Sequence, residues 1–188
     1  GGHSFGAFGN RNAIHYLSNM INTLYSVKVP EENGSRTTYN VGTISGGTSV
    51  NTIAQEAEML YEYRSDNRNC LEKMRETFEQ VIAAYRTMGI EVEVAMLGER
   101  PCGGELDPVR YEALLERAST SIRSIVGEEA SFRSGSTDCN IPLSVGIPAV
   151  CISGCSGFGA HTREEYLELE HLLTGNRLVM DFLASYLV

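Results

Sequence analysis

The sequence predicts an α+β fold in two parts: an antiparallel sheet covered by two helices, followed by a shorter α/β segment. Apolar residues recur at helical spacing within residues 13–24 and 71–85. Strands with one buried face are indicated where apolar and polar side chains alternate, in residues 39–43, 57–63 and 92–96. A linker rich in glycine, at residues 101–104, separates this pattern from a second stretch of helices and short strands.

The order of elements in the first part is β-α-β-β-α-β. Residues 1–6 are small and extended, and the first helix follows, with Asn10 as its expected cap. Gly46 and Gly47 end the second strand, and Gly89 ends the second helix. Two helices on one face of a four-stranded antiparallel sheet form the ferredoxin-like plan, so we predict that layout.

The second part alternates strand and helix. The Asp107–Pro108 pair is suited to cap and begin a helix. Short buried strands are expected at 131–132 and 149–152, and a capping box at 162–165 predicts the start of another helix. Gly175 and Asn176 predict a break in the last helix. The pattern indicates part of an α/β layer and not a self-contained domain.

Charge and composition exclude several classes of function. The 188 residues carry a formal net charge of −9, whereas proteins that bind nucleic acid need a basic patch. No run approaches the roughly 20 apolar residues of a membrane span. Five cysteines without a CxxC pair favour reduced thiols, and no signal peptide is visible, so we predict a cytoplasmic protein. The chain opens at Gly1 without a methionine, which we interpret as a cut inside a longer protein.

Three candidate polar sites lie in the first part. His3 follows two glycines, which would let a ligand approach closely, although an exposed strand-end histidine is the simpler interpretation. Asn51 follows Gly46 and Gly47, where amide groups could bind an oxyanion or merely form a turn. Arg64 ends a strand and suits carboxylate capture, or pairs with Asp66 at the surface.

A fourth candidate site lies in the second part. Gly135, Ser136 and Thr137 form a loop of small residues, and His161 precedes the capping box. A neutral imidazole at that point could bind a divalent metal, or could be incidental to the helix cap. His15 and His171 fall within helices, and we interpret both as structural.

Together these segments resemble the M20 metallopeptidase family over nearly the whole chain. The stretches that carry the resemblance keep the family's order and spacing: GGHS, FGNRNAI, NVGTISGGTSVNTIA, YEYRSD, GSTDCNIPLSVGIPAVCISG and GAHTREEY. The peptidase T and acetylornithine deacetylase branches are the most similar. The resemblance implies a lid and dimerisation domain in residues 1–104 and the C-terminal part of a zinc-peptidase catalytic domain in residues 105–188.

The resemblance also implies roles for the candidate residues. His3 matches the lid histidine that stabilises the oxyanion in the partner subunit's site. Asn51 and Arg64 match lid positions that contact the substrate, Arg64 at its carboxylate. The loop of Gly135, Ser136 and Thr137 matches the one that holds the substrate's C-terminal end. His161 matches the last zinc ligand of a site with two ions.

The family's other metal ligands and its general base precede the lid, so they would lie outside this chain. We therefore expect a fragment of a hydrolase acting on short peptides or N-acyl amino acids, itself inactive and not binding zinc tightly. We expect a homodimer through residues 9–26 and the adjacent edge strand. The alternative is a non-enzymatic ferredoxin-like module that dimerises or binds a small ligand. Which amide substrate the enzyme would take stays open among aminopeptidase, dipeptidase and deacylase activities.

Overall fold

A computed structural model describes residues 1–187, and the chain separates into two compact units. The first unit runs from Gly1 to Cys102 and the second begins at Gly103. Whether they are a lid and a catalytic-domain segment stays a prediction at this point.

The first unit contains four strands and two helices, in the order β1 (Gly2–His3), α1 (Ala13–Ser26), β2 (Thr37–Gly46), β3 (Thr52–Ile53), β4 (Ala57–Ser65) and α2 (Arg68–Thr87). β2 pairs with β4 and β1 with β3, both antiparallel, as two separate sheets of two strands. The predicted mixture of helices and antiparallel strands is confirmed. The four-stranded ferredoxin-like sheet is not formed.

The predicted fourth strand at 92–96 is absent, although all of this segment is described. Val92 packs against the core, but Val94 and Met96 are 51% and 70% exposed. The Arg86 guanidinium donates two hydrogen bonds to the Val92 carbonyl, at 3.1 and 2.6 Å. A side chain therefore occupies the acceptor that a neighbouring strand would use, and the alternating pattern alone did not produce a strand.

The core of the first unit lies between α1 and α2 and the inner face of the β2–β4 sheet. Met20 and Leu24 of α1 meet Val81, Ile82 and Tyr85 of α2, all of them buried. Met59 and Tyr61 cover this cluster from β4. Asn12, and not the predicted Asn10, caps α1, and its side chain accepts from the backbone N–H of Ile14 and His15.

The second unit contains two long helices and one short helix. Its elements are α3 (Pro108–Val126), α4 (Asn140–Ser144), β5 (Gly157–Phe158), β6 (Tyr166–Leu167), a 3-10 turn (Leu169–His171) and α5 (Leu172–Ala184). α3 begins as predicted, because the Asp107 side chain accepts from the N–H groups of Val109 and Arg110. The Arg117 guanidinium of α3 lies 4.3 Å from the Tyr186 ring centroid and donates to the Ser185 carbonyl.

Several predictions for the second unit are wrong. No strand forms at 131–132 or 149–152, which the structure describes in full. The burial expected of such strands is also not found at Ser131, Phe132 and Cys151, whose side chains are exposed. Residues 162–165 form a turn and not a helix. Gly175 does not break α5. It is buried there, and a Cβ at this position would overlap the Gly154 carbonyl, so the glycine permits a close approach between backbones.

Candidate functional site

The structure brings His3 and Asn51 together at one corner of the first unit. His3 pairs with Thr52 across the β1–β3 ladder. The Ser4 backbone N–H donates to the Asn51 carbonyl at 2.9 Å. The strand end at His3 and the turn that carries Asn51 are therefore neighbours although they are far apart in the sequence, and we name His3, Ser4 and Asn51 the His3 corner.

The His3 ring is held by a local hydrogen bond. The Phe5 backbone N–H donates to His3 Nδ1 at 3.3 Å, and the Ala7 N–H donates to the His3 carbonyl at 2.8 Å. Because Nδ1 accepts, the proton of the neutral ring sits on Nε2. The exposed side chain therefore has a donor on its outer nitrogen, which is the group that a developing oxyanion needs.

A second set of contacts fixes the backbone around the corner. Asn10 Nδ2 donates to the Gly1 carbonyl at 2.9 Å, and the Ala13 N–H donates to the Ala54 carbonyl at 2.9 Å. Gly2 has a φ of +137°, and a Cβ there would lie 2.7 Å from the Ala7 side chain. The sequence pointed to Asn10 as a helix cap, but gave no signal for its contact with Gly1.

The loop that carries Asn51 is a compact turn. Ser49 Oγ contacts Asn51 Oδ1 at 2.9 Å and Thr52 Oγ1 at 2.8 Å. Gly47 has a φ of +72°, and its N–H donates to the Glu56 carbonyl at 3.3 Å. Since Asn51 Oδ1 is the atom that faces Ser49, the amide of Asn51 presents its NH₂ group away from the turn.

Arg64 lies near the opposite end of β4 from the His3 corner. It stands across from Thr38 in the register of β2 and β4, whereas Gly46 and Ala57 close the end nearer the corner. Its guanidinium binds Glu62, with Nε and Nη2 both donating to Oε2 at 3.1 and 2.6 Å. The sequence suggested Asp66 as the default partner, but the Asp66 carboxylate accepts from the Arg36 N–H at 2.8 Å.

The loop of Gly135, Ser136 and Thr137 leads into α4. The Thr137 N–H donates to Asn140 Oδ1 at 2.8 Å, and Thr137 Oγ1 accepts from the Cys139 N–H at 3.3 Å. Thr137 is half-buried, while Gly135 and Ser136 are exposed. The loop is thus an ordered turn with small residues at its surface.

His161 lies in a turn between β5 and β6. Its backbone takes the left-handed conformation, with φ +67°, which is uncommon for a residue other than glycine. Its N–H donates to Glu165 Oε2 at 3.1 Å, and its side chain is exposed. Across residues 1–187, no group of three or more His, Cys, Asp or Glu side chains is placed to hold a metal ion.

No helix within the described residues is both long and apolar enough to cross a bilayer.

Comparisons with known proteins place these features in a family. Residues 1–86 match the family described as the peptidase dimerisation domain. Uncharacterized protein YqjE of Bacillus subtilis (strain 168) is 28% identical over 174 residues, which cover 89% of this chain and 44% of that protein. The crystal structure of aminopeptidase PepT from Bacillus cereus ATCC 10987 is similar with a TM-score of 0.56 and 25% sequence identity.

The match to the PepT structure covers 88% of this chain and 44% of that chain. This chain therefore spans less than half the length of either relative. Together these matches support a segment similar to the dimerisation domain of M20-family peptidases, in residues 1–86.

Proposed function

We propose that this chain is the lid and the C-terminal part of the catalytic domain of an M20 peptidase that hydrolyses amide bonds in short peptides or N-acyl amino acids. The dimerisation-domain match and the similarity to an aminopeptidase support this function. The observation that carries it is the His3 corner, where backbone pairing brings the strand that ends at His3 next to the turn that carries Asn51. The rest of the enzyme would lie outside these residues.

In this proposal His3 stabilises the oxyanion that forms when the amide carbonyl is attacked. The Phe5 N–H keeps Nδ1 as an acceptor, so Nε2–H is available to donate to the substrate oxygen. The side-chain amide of Asn51, in the turn before β3, adds a second hydrogen-bond donor in this proposal. A positioned donor costs no reorganisation when charge develops, which is why such groups lower the barrier of amide hydrolysis.

Arg64 binds the substrate carboxylate in this proposal. The loop of Gly135, Ser136 and Thr137, in the second unit, is proposed by itself to hold the substrate's C-terminal end. Arg64 lies seven positions along β4 from Ala57. At the rise of a strand, the distance between these two positions is about 23 Å. A short substrate does not reach over that distance. His3 and Arg64 of one chain would therefore serve two different sites, which requires a second subunit.

A homodimer would supply that second subunit. Among the described residues, β2 has a strand on one side only. Its other edge is covered at one point, where the Tyr25 hydroxyl accepts from the Val41 N–H at 3.1 Å. Ile14, Tyr25 and Ile44 are each about half exposed. Apolar side chains beside an open strand edge favour pairing with a second copy through residues 9–26 and β2.

The resemblance implies two zinc ions, and the residues of this chain do not fit such a site by themselves. A catalytic zinc needs about three protein ligands, and among residues 1–187 His161 has no second and third ligand grouped with it. No step is therefore assigned to a metal here. His161 would be one ligand of a site completed by residues outside this chain.

The incomplete set of metal ligands also makes the non-enzymatic alternative relevant to this chain by itself. With no group of ligands for a metal in the described residues and an open strand edge, we expect the 188 residues alone to self-associate without hydrolysing peptides. The enzyme would require the remaining length of its relatives.

The test is peptidase activity of the full-length protein carrying His3→Ala. Loss of one oxyanion donor should lower kcat by about 100- to 1,000-fold while KM changes little. His171→Ala is the matched control, because His171 lies in the second unit, away from the proposed dimer surface, and its ring pairs with Glu168 at 2.9 Å. An unchanged kcat for His3→Ala would remove His3 from the mechanism.

A further inference from the structure

The outward face of the β2–β4 sheet carries a row of exposed polar groups around Arg64. Thr38 stands across from Arg64, and Asn40 stands across from Glu62, in the register of the two strands. All four side chains are exposed. Residues two apart on a strand share a face, so Glu62 and Arg64 are neighbours on this surface.

Glu62 occupies the hydrogen-bonding edge of Arg64. Nε and Nη2 are adjacent donors of one guanidinium, and both point to a single oxygen, Oε2 of Glu62, at 3.1 and 2.6 Å. These are the donors that a guanidinium uses to bind an incoming carboxylate in a two-pronged fashion. A ligand carboxylate can make that contact only by displacing Glu62.

The pair is weak enough to be displaced. The side chains are 59% and 51% exposed, so solvent screens their attraction. Ion pairs of this kind contribute about 0.2–1 kcal/mol. A carboxylate held by other contacts as well can compete with such a pair.

A depression lies directly beside this pair. The register of β2 shifts between Val41 and Thr43, and Gly42 at the shift has no side chain. Asn40, Gly42, Leu60 and Glu62 line the opening. A Cβ at Gly42 would lie 3.7 Å from Asn40 Nδ2, so the amide donor of Asn40 is directed at the empty position.

We propose that Glu62 is a built-in competitor for the ligand carboxylate at Arg64, and that it weakens the binding of carboxylate ligands to this face. The inference rests on the proposed role of Arg64. The ligand class is a small carboxylate with an apolar group, because Arg64 would take the anion while Leu60 and the space at Gly42 accept the apolar part. Glu62 also repels that anion, so both effects act in the same direction.

The experiment is an NMR titration of this chain, observing the Nε–Hε signal of Arg64. The probe is N-acetyl-L-leucine, and its C-terminal amide is the matched ligand without a carboxylate. Glu62→Gln should lower the dissociation constant of the acid by about 1.5- to 5-fold, which is the free energy of an exposed ion pair expressed as a ratio. The amide should not shift the signal in either protein.

Glu58→Gln is the control variant, because Glu58 lies on the same face of β4 and contacts Ser45 at 3.0 Å, away from Arg64. It should bind the acid as the parent chain does. If the parent chain binds the acid at Arg64 and Glu62→Gln binds it equally or more weakly, the competitor role is wrong while the carboxylate role of Arg64 stands. If neither shows a shift at Arg64, both roles are wrong.

Discussion

The proximity of His3 and Asn51 in the His3 corner shows what single residues in this sequence could and could not reveal. Their chemical types and their glycine-rich surroundings were enough to select both as candidates. Their proximity was not predictable, because β1 and β3 contain two residues each and leave no period to detect. Arg64 was predicted to end a strand, and it lies one residue before the end of β4. Its partner was missed because Glu62 shares its strand face, while Asp66 lies beyond the strand.

Tyr61 carries a prediction about pH at the residue scale. Burial raises its pKa to about 12, and neighbouring Tyr39 and Tyr63 add to the shift. Since the folded protein holds this proton more tightly, the contribution to stability is fully present below about pH 10 and is lost as pH rises towards 12. The free energy of unfolding should therefore fall between pH 9 and pH 11.

Tyr61→Phe tests this expectation, because phenylalanine keeps the stacking on Phe78 at 5.3 Å between ring centroids and removes the ionisable group. Urea unfolding at pH 9 and pH 11 should show a smaller fall for the variant than for the parent chain. Tyr166→Phe, at an exposed position on β6, is the control and should keep the fall of the parent. A variant that loses as much stability as the parent would contradict the assignment to Tyr61.

At the scale of elements, long helices and the long hairpin were predictable, and short strands were not. α1, α2 and α3 each repeat apolar residues over at least three turns. Exposure alternates over all nine residues of β4 and over the first six residues of β2. The segment at 92–96 alternates equally well, but it forms no strand. The Arg86 guanidinium donates to the Val92 carbonyl, which a neighbouring strand would otherwise bind. Strand formation depends on a partner, which the sequence of one segment does not specify.

The N-terminus of α2 carries a prediction at this scale. Asn67 Oδ1 accepts from the Cys70 N–H at 3.0 Å, and the helix that follows buries Met74, Val81, Ile82 and Tyr85. Asn67→Ala should lower the free energy of unfolding by about 1 kcal/mol, because a first-turn amide loses its acceptor. Asn67→Ser retains a capping oxygen and should restore most of the loss. Chemical denaturation measures both, and an alanine variant as stable as the parent would contradict the cap.

For the whole molecule, the proportion of its relatives that this chain covers decides what it can do by itself. It spans 44% of YqjE and 44% of the PepT chain, and in residues 1–187 no cluster of metal ligands forms. Composition did not predict the partial coverage, whereas the order of the motifs in the resemblance did. His3 and Arg64, the residues proposed to face the substrate, are both present, so subunit exchange can test their roles separately.

The account depends most on the claim that His3 acts in the partner subunit's site while Arg64 acts in its own. The measurement is subunit mixing in the full-length peptidase, using His3→Ala and Arg64→Ala, with light scattering to establish the dimer. Each variant alone should be almost inactive. In a mixed dimer, one site keeps both residues and the other loses both.

After equal amounts exchange at random, half of the dimers are mixed, so activity should recover to about a quarter of the parent enzyme. A mixture of either variant with itself is the control and should recover nothing. Recovery to about a quarter, in dimers, is the predicted result. A mixture of the two variants that stays as inactive as each variant alone, or a monomeric enzyme, would contradict the account.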